Sequence, residues 1–457
     1  MVVWKIVADL LGQYYSTYIV FVVTSSLWLA SITVSWPSPV LVKLRGTEDN
    51  PLGRPITPDE SDLIGSLLFV GASIGPLLFI GIVERFGRKL SLLLSSAIMP
   101  LVFLTVAFTD KIEIYLICRV LTGFYFGVTL SIQPSYVSEI CTPDKRSVLM
   151  SFSTLFLMFG VSTSDTVGDA LTFFQFNTFI AIVSIIFMVI VSLTCPESPY
   201  YVMRVEGKDK TRELLKKIRQ TKDVEDELLE IVETIESEIK ESYLEIFGSM
   251  QNFKPFVLAT ILLLFQQLTG IFVLVTYVQQ IFLATNVPIQ AHQCSMVLVI
   301  FQMVTCFLPP ILMNSRKFSR KGLLMFTLLG LGLCNLTIGY YFCFGRNVDY
   351  LDWLPLVVLI VFIFIFNCGL DPIPWMLMGE IYPMNIKSVG SALSTCLYFL
   401  STFPLLYVFN KFAMHYLFLS CGFFSVCGFV FVKLFIIDTE GKSLREIHKG
   451  ISQHVDA

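Results

Sequence analysis

The stretch Gly369–Lys387, GLDPIPWMLMGEIYPMNIK, decides how the rest of this chain is read. An apolar run from Leu354 enters it, is broken by Pro372 and Pro374, resumes at Trp375 and ends on Glu380. Lys387 follows seven residues later. Prolines inside a membrane helix free backbone carbonyls, which is tolerated where those groups face protein or a water-filled cavity. An indole beside such a break offers a flat apolar face and one N–H donor, suited to a ligand with both C–H and O–H groups. Taken alone, a kinked packing helix with a buried Trp accounts for the stretch equally well.

A second stretch separates the two readings. Pro134-Ser-Tyr-Val-Ser-Glu139 is followed by Arg146, again a step of seven from acid to base. Glu380 to Lys387 repeats this pattern 241 residues later. The same element at the same relative place in two halves indicates an internal duplication.

Composition agrees with a membrane chain. Of 457 residues, 55% are hydrophobic and only 15% charged, too few charges to cover a soluble surface of this size. Mean hydropathy is +0.73. Apolar runs fall at 15–35, 62–82, 90–108, 113–134, 147–167 and 174–194, and after a polar gap at 255–276, 294–314, 322–344, 354–378, 389–408 and 414–436. The chain is therefore expected to be an all-α membrane protein with twelve transmembrane helices in two six-helix halves, 1–194 and 255–436. A linker, 195–254, and a tail, 437–457, complete it. The first run lacks a small-residue cleavage site and is expected to stay as a helix. The fifth carries Ser, Thr and Asp165, and a polar membrane helix faces a cavity or its neighbours. The eleven Cys show no paired or metal-ligand spacing, and no basic patch suggests nucleic acid.

Short loops on one side hold ten Lys and Arg against six on the other, which puts both termini and the central loop in the cytoplasm. Asn335-Leu-Thr337 matches a glycosylation sequon but lies mid-membrane and is discarded. The linker has 10 basic and 14 acidic residues. Within it, Leu214, Leu215 and Ile218, then Leu228, Ile231, Val232, Ile235 and Ile239, recur at helical spacing, so short amphipathic helices are expected.

Between runs two and three stands Gly81-Ile-Val-Glu84-Arg85-Phe-Gly87-Arg88-Lys89, where a glycine permits a tight turn and paired charges can hold helix ends together. With Arg119-x3-Gly123-x3-Gly127, Pro196-Glu-Ser-Pro199, Gln266-Gln267-Leu-Thr-Gly270 and the tail from Asp438 to Ile447, the pattern resembles the sugar porters of the major facilitator superfamily over essentially the whole chain. Glu-Ser-Pro-Tyr-Tyr at 197–201 is most similar to the facilitated trehalose transporter branch, beside the facilitative glucose transporters. So is Thr154, which stands where the glucose carriers have a glutamine.

The resemblance implies a sugar site. Gln266 and Gln267 match its paired glutamines, Trp375 the indole on which the sugar packs, and Tyr277 one of two tyrosine positions, Thr276 being the other. Phe272, Val304 and the Leu397-Tyr398 pair replace three amides and a tryptophan. Asp371 stands where the family has glycine, and an ionisable residue at mid-membrane is a functional candidate. The expected substrate contacts are thus Gln266, Gln267, Trp375, Thr154, Tyr277 and Tyr398.

A cytoplasmic gate is implied as well, comprising Glu84, Arg88, Glu139, Arg146, Arg320, Glu380 and Lys387, with Glu139 facing Lys387 and Glu380 facing Arg146 across the halves. The second turn motif, Arg316-Lys-Phe-Ser319-Arg320-Lys321, has lost its acid and is expected to lean on the acidic linker. Proton-coupled relatives carry an aspartate in run one, and this chain has no carboxylate between Asp9 and Glu48, so the resemblance favours facilitated over proton-coupled transport. The function implied is uniport of a sugar such as trehalose or glucose by alternating access. No enzymatic activity, cofactor or metal is expected, and the expected setting is the plasma membrane, as a functional monomer. The alternatives are a polyol or other small polar cargo, proton coupling through Asp371 or Asp165, and a sensor that binds sugar without moving it.

Overall fold

The structure is a computed structural model and describes residues 15–46, 50–141, 143–221, 223–236, 243–305, 308, 319–382 and 386–436. These are almost wholly helical. The first half comprises α1 (Tyr15–Ser35), α2 (Pro37–Arg45), α3 (Pro58–Phe86), α4 (Arg88–Ser96), α5 (Ile98–Phe108), α6 (Ile112–Ile140), α7 (Pro143–Ala170) and α8 (Phe173–Thr194). Four short helices follow: α9 (Pro199–Glu206), α10 (Lys208–Arg219), α11 (Glu225–Glu236) and α12 (Tyr243–Gly248). The second half has α13 (Met250–Leu268), α14 (Ile271–Leu283), α15 (Ala291–Thr305), α16 (Arg320–Phe344), α17 (Leu354–Ile365), a π turn (Phe366–Leu370), α18 (Ile373–Ile381), α19 (Lys387–Tyr407) and α20 (Met414–Phe435). Among the described residues ten segments are long and apolar enough to cross a membrane, with α1–α2, α4–α5, α13–α14 and α17–α18 each forming one broken span. The more polar α7 and the shorter α15 occupy the remaining two places.

Each break is explained by where its freed carbonyl goes. Pro37 has no N–H for the Thr33 carbonyl, and Arg119 Nη1 donates to that oxygen at 2.7 Å. Arg119 Nε donates to Ile64 O at 2.7 Å, and its guanidinium lies 5.4 Å over the Trp36 ring. Among the described residues no carboxylate pairs with Arg119, in keeping with the absence of an acid in the first run. Between α13 and α14 the chain turns at Gly270, whose φ of +87° suits a residue without Cβ. The Thr269 carbonyl beside it accepts from Asn335 Nδ2 at 3.0 Å, so the discarded sequon asparagine is a buried brace for the kink. The polar face of α7 meets its neighbour, as expected: Trp28 Nε1 donates to Thr163 at 3.0 Å and Ser35 to Asp165 at 3.3 Å.

Small residues set the closest helix contact. A methyl added at Gly123 would sit 1.8 Å from Leu68 O, and one at Gly71 1.9 Å from Val120 O. The Gly123-x3-Gly127 spacing therefore lets α6 touch the α3 backbone. The halves meet mainly where α3 packs on α19 and α7 on α15.

The linker helices are amphipathic, and their apolar stripes form a small core of Leu215, Val224, Leu228 and Ile231. Ile239 lies outside the described residues. Arg219 ties this unit to the bundle, donating to Ile140 O at 2.7 Å while gripping Glu227 at 2.6 and 2.9 Å.

Candidate functional site

The π turn follows from the chain entering two prolines. Asp371 N donates to Phe366 O, five residues back, at 3.0 Å, and α18 restarts at Ile373. This places Asp371 and Trp375 beside the end of α13, where Gln266 Nε2 reaches Asp371 O at 3.4 Å. Both glutamines are buried, yet Gln266 Oε1 and both amide atoms of Gln267 lack a partner. A buried amide without partners costs about 1–3 kcal/mol per unmet group, so this region carries hydrogen-bonding capacity that the fold itself does not use. Trp375 is partly exposed and meets Tyr398 edge-on, with ring centroids 5.1 Å apart. The Asp371 carboxylate is partly exposed too, and none of the described residues donates a hydrogen bond to it.

Gln266, Gln267, Trp375 and Tyr398 thus gather in the second half. Thr154 lies on α7 of the first half and is partly exposed. Phe272 explains its own departure from the family: it packs against Phe69 of the first half at 4.8 Å and Tyr398 at 6.3 Å. Phe399 meets Phe69 at 6.3 Å and Phe126 at 5.5 Å, so aromatic rings seal the halves together beside Trp375. Val304 lies on one exposed stripe with Val297 and Ile300, on the outer face of α15, whereas Gln302 and Thr305 point inward. Its apolar side chain therefore does not replace a cavity amide in this conformation.

Tyr277 belongs to a different structure, the closure of the end distal to the linker. Its ring stacks on Phe409 at 4.0 Å, and a methyl on Gly65 of the first half would sit 2.1 Å from its hydroxyl. Beside it Asp62 Oδ1 accepts from Asn410 Nδ2 at 2.6 Å and from Asn410 N at 3.2 Å, while Arg45 Nη2 donates to Asn410 Oδ1 at 3.1 Å. Lys411 lies 3.5 Å from Asp59, and His292 3.9 Å from Asp169. Contact with Tyr407 first, and then the Asp59 charge, raise the Lys411 pKa above its ordinary value. This latch was not found in the sequence, although Asp62 stands out as an acid heading an apolar run. Asp62→Ala removes the acceptor of two bonds, worth about 1–2 kcal/mol, and should shift the distal equilibrium roughly five- to thirtyfold toward open. An impermeant thiol reagent acting on Thr276→Cys, in a background without the exposed Cys343, reads that shift. Equal labelling with and without Asp62 would remove the latch.

At the linker end the acids are held differently from the expected cross-half pairs. Glu139 accepts from Arg88 Nη2 at 2.8 Å and Nε at 3.2 Å and from Ser135 at 3.1 Å, and it also bonds Ser198. Glu380 accepts two bonds of 2.6 Å from Arg320. Lys387 is exposed, and the side chain of Arg146 lies outside the described residues. Glu380 of the same half serves the second turn motif, because Arg320 opens α16 beside the end of α18 and donates to it; residues 316–318 are outside the described set. One expectation needs correction. Glu84 is exposed with no described partner, and Glu197 takes the structural place proposed for it. Its carboxylate accepts from Arg88 N at 2.8 Å and Lys89 N at 3.0 Å, capping the free donors that begin α4, while Gly87 turns with φ +80°.

Comparison with known proteins fits this geometry. The profile of a family described as sugar (and other) transporters matches residues 16–450. The facilitated trehalose transporter Tret1 of Culex quinquefasciatus is 26% identical over 432 residues, spanning 92% of this chain and 83% of that one. Its counterpart in Polypedilum vanderplanki is 28% identical over 432 residues, spanning 92% and 85%. The inward-open conformation of the xylose transporter XylE from E. coli superimposes with a TM-score of 0.80 at 19% identity, over 95% of this chain and 99% of that one. The proton:xylose symporter XylE bound to 6-bromo-6-deoxy-D-glucose gives 0.73 at 20% identity, over 96% and 99%. With ten membrane-length apolar segments among the described residues and a family match over nearly its full length, the chain belongs to the sugar (and other) transporter family and has the major facilitator fold.

Proposed function

We propose that this protein is a facilitative transporter, a uniporter, for a sugar such as trehalose or glucose, working by alternating access. The observation that carries this reading is the asymmetry between the two ends of the bundle. Distal contacts join the halves where Asp62 meets Asn410 and Gly65 meets Tyr277, while Glu139 and Glu380 at the linker end are each held within their own half. In the opposite state Glu139 turns to Lys387 and Glu380 to Arg146, exchanging one closure for the other. The cargo sits between the halves against Gln266, Gln267, Trp375 and Tyr398, with Thr154 facing it from α7 and Tyr277 closing over it from the distal side. The excess of Lys and Arg in linker-side loops supports a cytoplasmic linker and termini, in the plasma membrane. The protein works as a monomer with two half-domains, 1–194 and 255–436, joined by 195–254 and followed by the tail 437–457.

Uptake of a panel of labelled sugars and polyols into proteoliposomes tests the cargo. Trehalose or D-glucose should enter saturably and polyols about two- to tenfold more slowly, since a missing ring contact on Trp375 costs about 0.5–1.5 kcal/mol. Polyol uptake exceeding sugar uptake would overturn the sugar reading. The unpaired, partly exposed Asp371 favours one second reading, proton-coupled transport.

A further inference from the structure

The duplicated register assigns a further residue to the cargo site. Glu139 and Glu380 occupy equivalent places in the two halves. Five residues before them stand Pro134 and Trp375, and six before them Gln133 and Pro374. Gln133 is therefore the side chain next to the first-half counterpart of Trp375, facing the same depth of the bundle from the other half. It is 1% exposed. Its Nε2 donates to Thr24 Oγ1 of α1 at 3.1 Å and to Ser153 Oγ of α7 at 3.0 Å. Its Oε1 has no partner. An amide that spends both N–H groups on two neighbouring helices is oriented rigidly, and the direction left over is that of the unmet carbonyl. Ser153 and its neighbour Thr154, the residue expected to face the cargo from the first half, are both partly exposed.

We infer that Gln133 is a specificity-determining contact for the cargo, its carbonyl oxygen accepting a hydrogen bond from a sugar hydroxyl on the first-half side. Thr24 and Ser153 are positioning residues that hold the amide. This rests on the sugar reading above and deepens it. The chain has apolar side chains at Phe272 and Leu397, where the second half of related carriers has amides. Gln133 supplies an amide from the opposite half, so the cargo is gripped from both sides by a different set of hydroxyls. Selectivity among sugars then depends on the first half as much as on the paired glutamines.

The test uses the full-length protein in proteoliposomes, with labelled trehalose and D-glucose as cargo and 2-, 3-, 4- and 6-deoxyglucose as competitors. In the wild type one deoxyglucose lacking the relevant hydroxyl should compete about five- to thirtyfold less well than glucose itself. In Gln133→Ala that analogue and glucose should compete equally, while the other analogues keep their ranking. Competition ratios do not depend on how much protein folds. Thr24→Val, which removes a bond to the amide but leaves its carbonyl, should preserve the wild-type ranking in order while weakening it. If Gln133→Ala lowers the maximal rate with every analogue ranked as in the wild type, Gln133 only fastens helices and the inference fails alone. A wild type that takes up neither sugar overturns the sugar reading and this inference with it.

Discussion

Gly123→Val should leave no monodisperse transporter at all. The added Cβ would lie 1.8 Å from Leu68 O and 3.0 Å from Leu68 Cα, atoms of the α3 backbone that no rotamer change can move. Overpacking a flexible site typically costs about 1–3 kcal/mol, but here a whole helix must shift by more than an ångström. That shift would spread to Gly71 and Gly127, which make the same contact one turn away on each side. Since folded proteins hold only about 5–15 kcal/mol in reserve, losing the α3–α6 seam is enough to unfold the first half. Gly81→Ala is the control, because nothing lies within 4 Å of its added Cβ. Size-exclusion profiles and thermal melting of both variants check the pair. A Gly123→Val protein that runs and melts as the wild type would refute the close-packed seam.

The second large effect is at Gln267. Neither amide atom of this fully buried side chain has a partner in the folded chain. Gln267→Ala therefore breaks no hydrogen bond of the fold, and with the lost packing offset by removal of an unpaired buried amide it should melt close to the wild-type temperature. The same change takes away a donor and an acceptor that the cargo would meet, typically worth about 1–3 kcal/mol, or roughly five- to a hundredfold in KM. The two readouts move apart only if the amide serves the cargo. Unchanged KM would remove the paired glutamines from the site, and a large drop in melting temperature would make Gln267 structural.

Much of this architecture is legible in the sequence, for definite physical reasons. Apolar runs long enough to span a bilayer leave little freedom in where helices fall, and Arg119, Gly123 and the prolines at 372 and 374 sit where the structure has its close contacts and a break. The acid-to-base spacing picks out Glu139 and Glu380 but not the partners they have here, because Arg88 and Arg320 stand 51 and 60 residues away on other helices. Contacts between residues far apart along the chain were out of reach of spacing arguments. Asp62 meets Asn410 across 348 residues, and Asn335 meets Thr269 across 66. The role of Phe272 was hidden for the same reason. A lost amide reads as a weakened site until the ring is seen sealing the halves against Phe69.

The most direct test of facilitated alternating access is counterflow in proteoliposomes with and without an imposed pH step. Preloading with unlabelled trehalose or glucose should drive transient accumulation of the labelled sugar. Without preloading, uptake should stop at equal concentrations, and a pH step or protonophore should leave the initial rate unaltered. Sustained uphill accumulation driven by the pH step alone would contradict uniport and make Asp371 the first residue to neutralise.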